Sequence, residues 1–109
     1  MTHRNTWKAF ERVVAKFFNS PRNPLSGGNS KHTRSDVIND RVYPECKYRD
    51  KMAIFTLFAD TAEKAKAENK IPVCCLKQKN TNGWLLVCRP EDVHQISSEA
   101  KDCKNVHWS

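Results

Sequence analysis

Asp36 is followed nine positions later by Glu45, and Lys47 stands two residues beyond that, so two carboxylates and a lysine fall within one short stretch. Side chains two apart on a strand share a face, so Glu45 and Lys47 project together while Cys46 points away. The segment reads as a β-hairpin: Asp36-Val37-Ile38, a turn at Asn39-Asp40, then Arg41 to Tyr48 with the β-formers Val42, Tyr43 and Tyr48. With a two-residue turn Asp36 lies opposite Tyr43, on the face of Glu45 and diagonal to it, roughly 7–8 Å away along the backbone. A three-residue turn moves it to the other face. Two carboxylates so placed can reach one hard cation, and Mg²⁺ prefers oxygen ligands and retained waters. Lys47 beside such an ion could orient or help deprotonate an attacking water, or neutralise charge on a phosphate. Taken alone, an ExK triplet is also what an ordinary solvated strand face carries.

The elements that must position these residues follow from periodicity. From Thr6 to Phe18 the apolar residues Trp7, Phe10, Val14, Phe17 and Phe18 recur at helical spacing, with Asn5 or Thr6 as N-cap. Glu11 borders the apolar stripe, where an unpaired carboxylate is costly, so a partner is expected, a structural Arg or Lys in the plain case. Residues 19–35 are rich in Pro, Gly, Ser and Asn, which predicts a mobile loop, long for a connector in so small a domain. Pro44 weakens the second hairpin strand and fits an edge or a bulge.

A second helix is predicted over 56–69. Ile71 to Lys77 and Trp84 to Cys88 are continuous apolar runs, which suits strands covered by helices on both faces, with a turn at Asn82-Gly83 between them. Pro90 with Glu91 and Asp92 opens a short last helix. The order α, β, β, α, β, β, α describes an α/β fold with a mixed central sheet flanked by helices, one domain over 1–99 and a flexible tail over 100–109.

Arg22 to Gly28 (RNPLSGG), then SDVI, then YPECKYR, stand in the order and at the spacing of one family. From the first helix to about Val87 the chain resembles the archaeal-type Holliday junction resolvases, a branch of the PD-(D/E)XK nucleases also found in phages. The resemblance implies a restriction-endonuclease-like core and a site made of Glu11, Arg22, Ser26, Asp36, Glu45 and Lys47. It implies a metal held by Asp36, Glu45, the backbone carbonyl of Cys46 and, through a water, Glu11. It implies Mg²⁺-dependent, or Mn²⁺-dependent, nicking of paired strands at a DNA four-way junction by a homodimer, leaving 5′ phosphates. The chain departs from the family in having Ser35 where a Pro is usual before Asp36, and in an extra basic run, Lys31, His32 and Arg34.

Charge agrees with a polyanion partner. Of the formal +7, residues 1–51 carry +6 (eleven basic, five acidic) and residues 52–109 only +1 (eight basic, seven acidic). A localised basic surface releases counterions from phosphates, although excess charge also serves solubility alone. Arg22, Lys31, Arg34, Arg49 and Lys51 are assigned to backbone phosphates, which position DNA without reading its sequence. Ser26 is expected to touch the scissile phosphate rather than to act as a nucleophile. The tryptophans are left to packing or, for Trp108, to a disordered end.

Four of the five cysteines sit in apolar, strand-like surroundings, which favours free thiols in a reducing cytoplasm; a zinc site is not expected, with no CxxC pair present. No membrane span and no small-molecule cofactor are expected. The rival readings are a PD-(D/E)XK nuclease for other branched or duplex DNA, and a noncatalytic basic DNA-binding module. A binding module has no need of carboxylates facing DNA, where their charge opposes phosphate unless a cation intervenes.

Overall fold

The computed structural model describes residues 3–23 and 35–100, with side chains from residue 6 onward. Ser26, Lys31, Arg34 and the tail beyond Ala100 lie outside the described residues, as does most of the expected 19–35 loop.

The first helix, α1 (His3–Phe17), starts before the caps expected at Asn5 and Thr6, both of which lie inside it. Its end is a Schellman closure: Asn19 takes φ 49°, and the Asn19 and Ser20 amides donate to the Lys16 and Ala15 carbonyls at 3.0 and 2.9 Å. The second helix, α2 (Ile54–Ala67), ends the same way, with Asn69 at φ 57° and the Asn69 and Lys70 amides on Lys66 and Ala65. Asn tolerates the left-handed conformation that such endings need.

A three-stranded mixed sheet lies between these helices, in the order β1 (Val42–Arg49), β2 (Ile71–Gln78), β3 (Leu85–Val87). β1 and β2 run parallel with Glu45 beside Cys74 and Cys46 beside Cys75, and α2 supplies the crossover a parallel pair requires. β3 returns antiparallel to β2. One sheet face, with Val42, Cys46, Val73 and Cys75, packs on Phe10, Val14 and Phe18 of the α1 region and on Ile96 of α3 (Val93–Glu99). The other face turns to α2, where the Cys74 thiol donates to Thr61 Oγ1 at 3.4 Å.

β2 is buried over five consecutive residues, as its unbroken apolar run requires. The second run is covered less than expected: β3 is a three-residue edge strand with Leu85 64% exposed. The Asn82-Gly83 signal does mark the connection, where Gly83 takes φ 81° and Lys77 Nζ reaches the Thr81 and Gly83 carbonyls.

The expected hairpin does not form. Asp36 to Ile38 pairs instead with the residues after α1: Val37 bridges Arg22, Asn23 N–H donates to Asp36 O at 2.8 Å and Ile38 N–H to Pro21 O at 2.9 Å. Asn39 is not a hairpin turn residue either. Its Oδ1 accepts the Arg41 and Val42 amides at 2.9 and 3.1 Å, an Asx cap that launches β1, while its Nδ2 reaches Ser20 and Glu99. With those amides taken by a side chain, β1 begins its ladder against β2, where Ile71 N–H donates to Arg41 O.

Candidate metal and phosphate site

β1 is an edge strand, and alternate residues of a strand direct both their amide and carbonyl to the same side. Val42, Pro44 and Cys46 therefore direct their backbone groups away from β2. Val42 N–H is held by Asn39, Pro44 has no N–H to leave open, and Cys46 N–H donates to Asp36 Oδ2 at 2.8 Å. Pro44 thus occupies the kind of edge position that a residue without a donor tolerates. The Cys46 carbonyl points to the same outer side as its amide.

Asp36 consequently stands beside Glu45-Cys46-Lys47, but by a different route from the one expected. It is not diagonal to Glu45 across a hairpin; its side chain clasps the backbone of the strand between Glu45 and Lys47. The small ladder with Pro21–Asn23 holds it there, together with Asn23 Nδ2 on Ser35 O at 2.8 Å and Ser35 Oγ on Val37 O at 2.6 Å. Ser35, the departure before Asp36, is buried and serves as a turn-stabilising donor.

Glu45 is 9% exposed and pairs with Lys47, Oε2 to Nζ at 3.2 Å. Burial, then the Asp36 charge, push its carboxyl above the ordinary range, against the pull of Lys47. Glu11 is more deeply enclosed, at 1% exposure, and Arg22 Nε donates to its Oε1 at 2.7 Å. Its carboxyl too is held up, by burial first, with Arg22 opposing and Asp36 adding. The expected partner of Glu11 is therefore Arg22, itself a candidate site residue. Asp36 lies within electrostatic reach of both glutamates.

A cavity of about 340 Å³ opens on this edge, lined by Asp36, Glu45, Cys46, Lys47, Arg49 and Trp7. Lys51 is exposed just past β1 and does not line it. Trp7 was assigned to packing and instead is 40% exposed at the cavity. Its spacing of four residues from Glu11 on one helix was the available signal. Trp84 does pack, edge-on against Phe10 and Phe17.

Among the described residues no group of three or more His, Cys, Asp and Glu side chains converges to hold a metal ion. The arrangement nevertheless suits a hard cation. Asp36, Glu45 and the Cys46 carbonyl offer oxygens at one strand edge, and Glu11 Oε2 is buried with no hydrogen-bond partner among the described residues. Burial first, and then the Asp36 charge, hold both glutamates up, and a divalent ion would offset that cost of carrying charge.

The described cysteines Cys46, Cys74, Cys75 and Cys88 are free, as their apolar settings lead one to expect. No described helix is long and apolar enough to cross a membrane. Compared with protein-family models, curated proteins and solved structures, the chain matches none.

Proposed function

We propose that this protein is a divalent-metal-dependent DNA endonuclease of the PD-(D/E)XK type, acting on four-way junctions in recombination and repair. The observation that carries the reading is the Asp36 carboxylate on the Cys46 amide, at the centre of Glu45-Cys46-Lys47. Asp36, Glu45 and the Cys46 carbonyl would hold Mg²⁺ or Mn²⁺, with Glu11 reached through a water. Such an ion supplies charge neutralisation at the phosphate and a more acidic water.

Lys47, held against Glu45, orients the attacking water or meets charge building on the phosphate. Arg22 keeps Glu11 in place, and with Ser26, Lys31, Arg34, Arg49 and Lys51 it contacts the DNA backbone. Paired nicks at a junction call for a homodimer, and a DNA substrate together with free thiols suits the cytoplasm.

The test is cleavage with Mg²⁺ of a synthetic four-way junction and of linear duplexes of its arms, by wild type and Glu45→Ala. Paired nicks in opposed strands of the junction by wild type alone support the proposal. Cleavage of the duplexes as readily as of the junction assigns the site to a nuclease of other specificity. Junction binding with no cleavage in any divalent metal transfers the reading to a noncatalytic DNA-binding module.

A further inference from the structure

Arg12 and Lys16 stand one turn apart on the exposed side of α1. With Arg22, Asn19, Ser20 and Pro21 they line a cavity of about 370 Å³, and among the described residues no carboxylate lines it. A plain account exists for part of this, since a cation in the last turn of a helix complements the negative end of its dipole. That covers Lys16. It leaves out Arg12, a full turn earlier, and Arg22, which lies beyond the helix. The carbonyls at this end are in part already satisfied by the Asn19 and Ser20 amides.

Arg22 joins this cavity to the carboxylate site. Its Nε donates to Glu11 Oε1, which uses one of five guanidinium donors and, among the described residues, leaves the paired Nη groups on the same side chain for an anion. Glu11 immediately precedes Arg12 in the helix and is bonded to Arg22, and Asp36 lies within electrostatic reach of Glu11, so the cations adjoin the carboxylates through Glu11. A chain of phosphates with one member beside Asp36 and Glu45 would carry a neighbouring phosphate toward the cations.

We infer that Arg12, Lys16 and Arg22 form a phosphate cradle that grips the DNA backbone next to the carboxylate site, at a phosphate other than the one attacked. The inference takes the identity of the polyanion from the proposed function and adds a binding site to it. An acidic protein surface would suit three cations as well, but repeated phosphates better fit a basic cavity that adjoins a carboxylate site.

The test is fluorescence anisotropy of a labelled four-way junction in Ca²⁺ over a salt series, comparing wild type with Arg12→Gln/Lys16→Gln. Lys66→Gln/Lys70→Gln removes the same charge from a cavity that also holds Glu63 and serves as the control. Circular dichroism checks that each variant folds, and Arg12→Lys/Lys16→Arg should restore binding.

The cradle variant is expected to bind about tenfold more weakly, with the slope of log K against log salt less negative by about 1 to 2, since each phosphate contact contributes about 0.9. The control should leave the slope near that of wild type. Equal losses in the two variants would overturn the cradle in favour of net charge. So would equal binding of phosphatidylserine vesicles with the same loss in the variant, which would point to a lipid surface. The outcomes also separate the two proposals. A changed slope without cleavage by wild type keeps the cradle and sinks the nuclease, whereas cleavage with an unchanged slope does the reverse.

Discussion

Along the α1-facing side of β1, Val42 and Cys46 are closed over by Phe10, Val14 and Phe18. At its outer edge and on its opposite face, Asp36 and Glu45 are buried nearly as well, at 8% and 9% exposure, and Glu11 of α1 is enclosed at 1%. The first burial is favourable for every apolar group removed from water. The second works against the ionised carboxyl, as the raised glutamates record, and it is held by Lys47, Arg22 and the Cys46 amide. A fold that needed only stability would gain little from burying three carboxylates. One strand therefore has a side that supports the fold and a side that draws on that support, which is the usual condition of a working site.

The difference can be broken most sharply at Asp36 and Glu45. Asp36→Asn or Glu45→Gln should reduce junction cleavage by about 10²–10³-fold or more, the scale of losing one electrostatic stabiliser, while binding in Ca²⁺ survives. Loss of binding together with cleavage would make these carboxylates structural. On the apolar side, Phe18→Ala should cost about 3–5 kcal/mol in urea denaturation, since the ring is 2% exposed and its removal leaves a cavity.

Removing Arg22 tests the support between the two sides. Arg22→Ala leaves a buried carboxylate unpaired and should destabilise the protein by about 1.5–3 kcal/mol, with Glu11→Gln recovering part of the loss in the double variant.

In metal-free buffer, Glu45→Gln should raise the unfolding midpoint at neutral pH. The native state holds this proton more tightly than the unfolded chain does, so stability falls as pH rises from the ordinary value of 4.5 through the raised one. Wild type and variant should converge below that window. A variant less stable than wild type at pH 7 would show that the Lys47 pair outweighs the burial.

The smallest effect concerns the thiols. The hydrogen bond with the Cys75 thiol, and then burial, raise the thiol of Cys46, and burial raises those of Cys74 and Cys88. Because Cys46, Cys74 and Cys75 are buried and Cys88 only half so, Cys88 should alkylate before those three, as peptide mass spectrometry of iodoacetamide-treated native protein would read out.

Both long helices were legible from apolar residues at helical spacing, and β2 from its unbroken apolar run, because those patterns are consequences of local geometry. Glu45 and Lys47 share a strand, and Glu11 has a cationic partner, for the same kind of reason. The hairpin at Asp36 was misread because Asn39-Asp40 offers a turn signal whose Asn side chain instead takes the Arg41 amide that would have closed a hairpin, together with that of Val42. Trp7 was misread because its position in the apolar stripe says which face it lies on and not whether anything covers that face.

The sequence by itself determined the helices, the central strand, the side-by-side projection of Glu45 and Lys47, and the basic first half, since these depend on residues near one another along the chain. Only the tertiary structure decided that β1 pairs with β2, a partner about thirty residues away, and thereby becomes an edge. The edge leaves the Cys46 amide open to Asp36 and turns the Cys46 carbonyl to the same side. Contacts of this kind carry no period in the sequence, because which strand edge remains open depends on how the whole chain closes its hydrogen bonds.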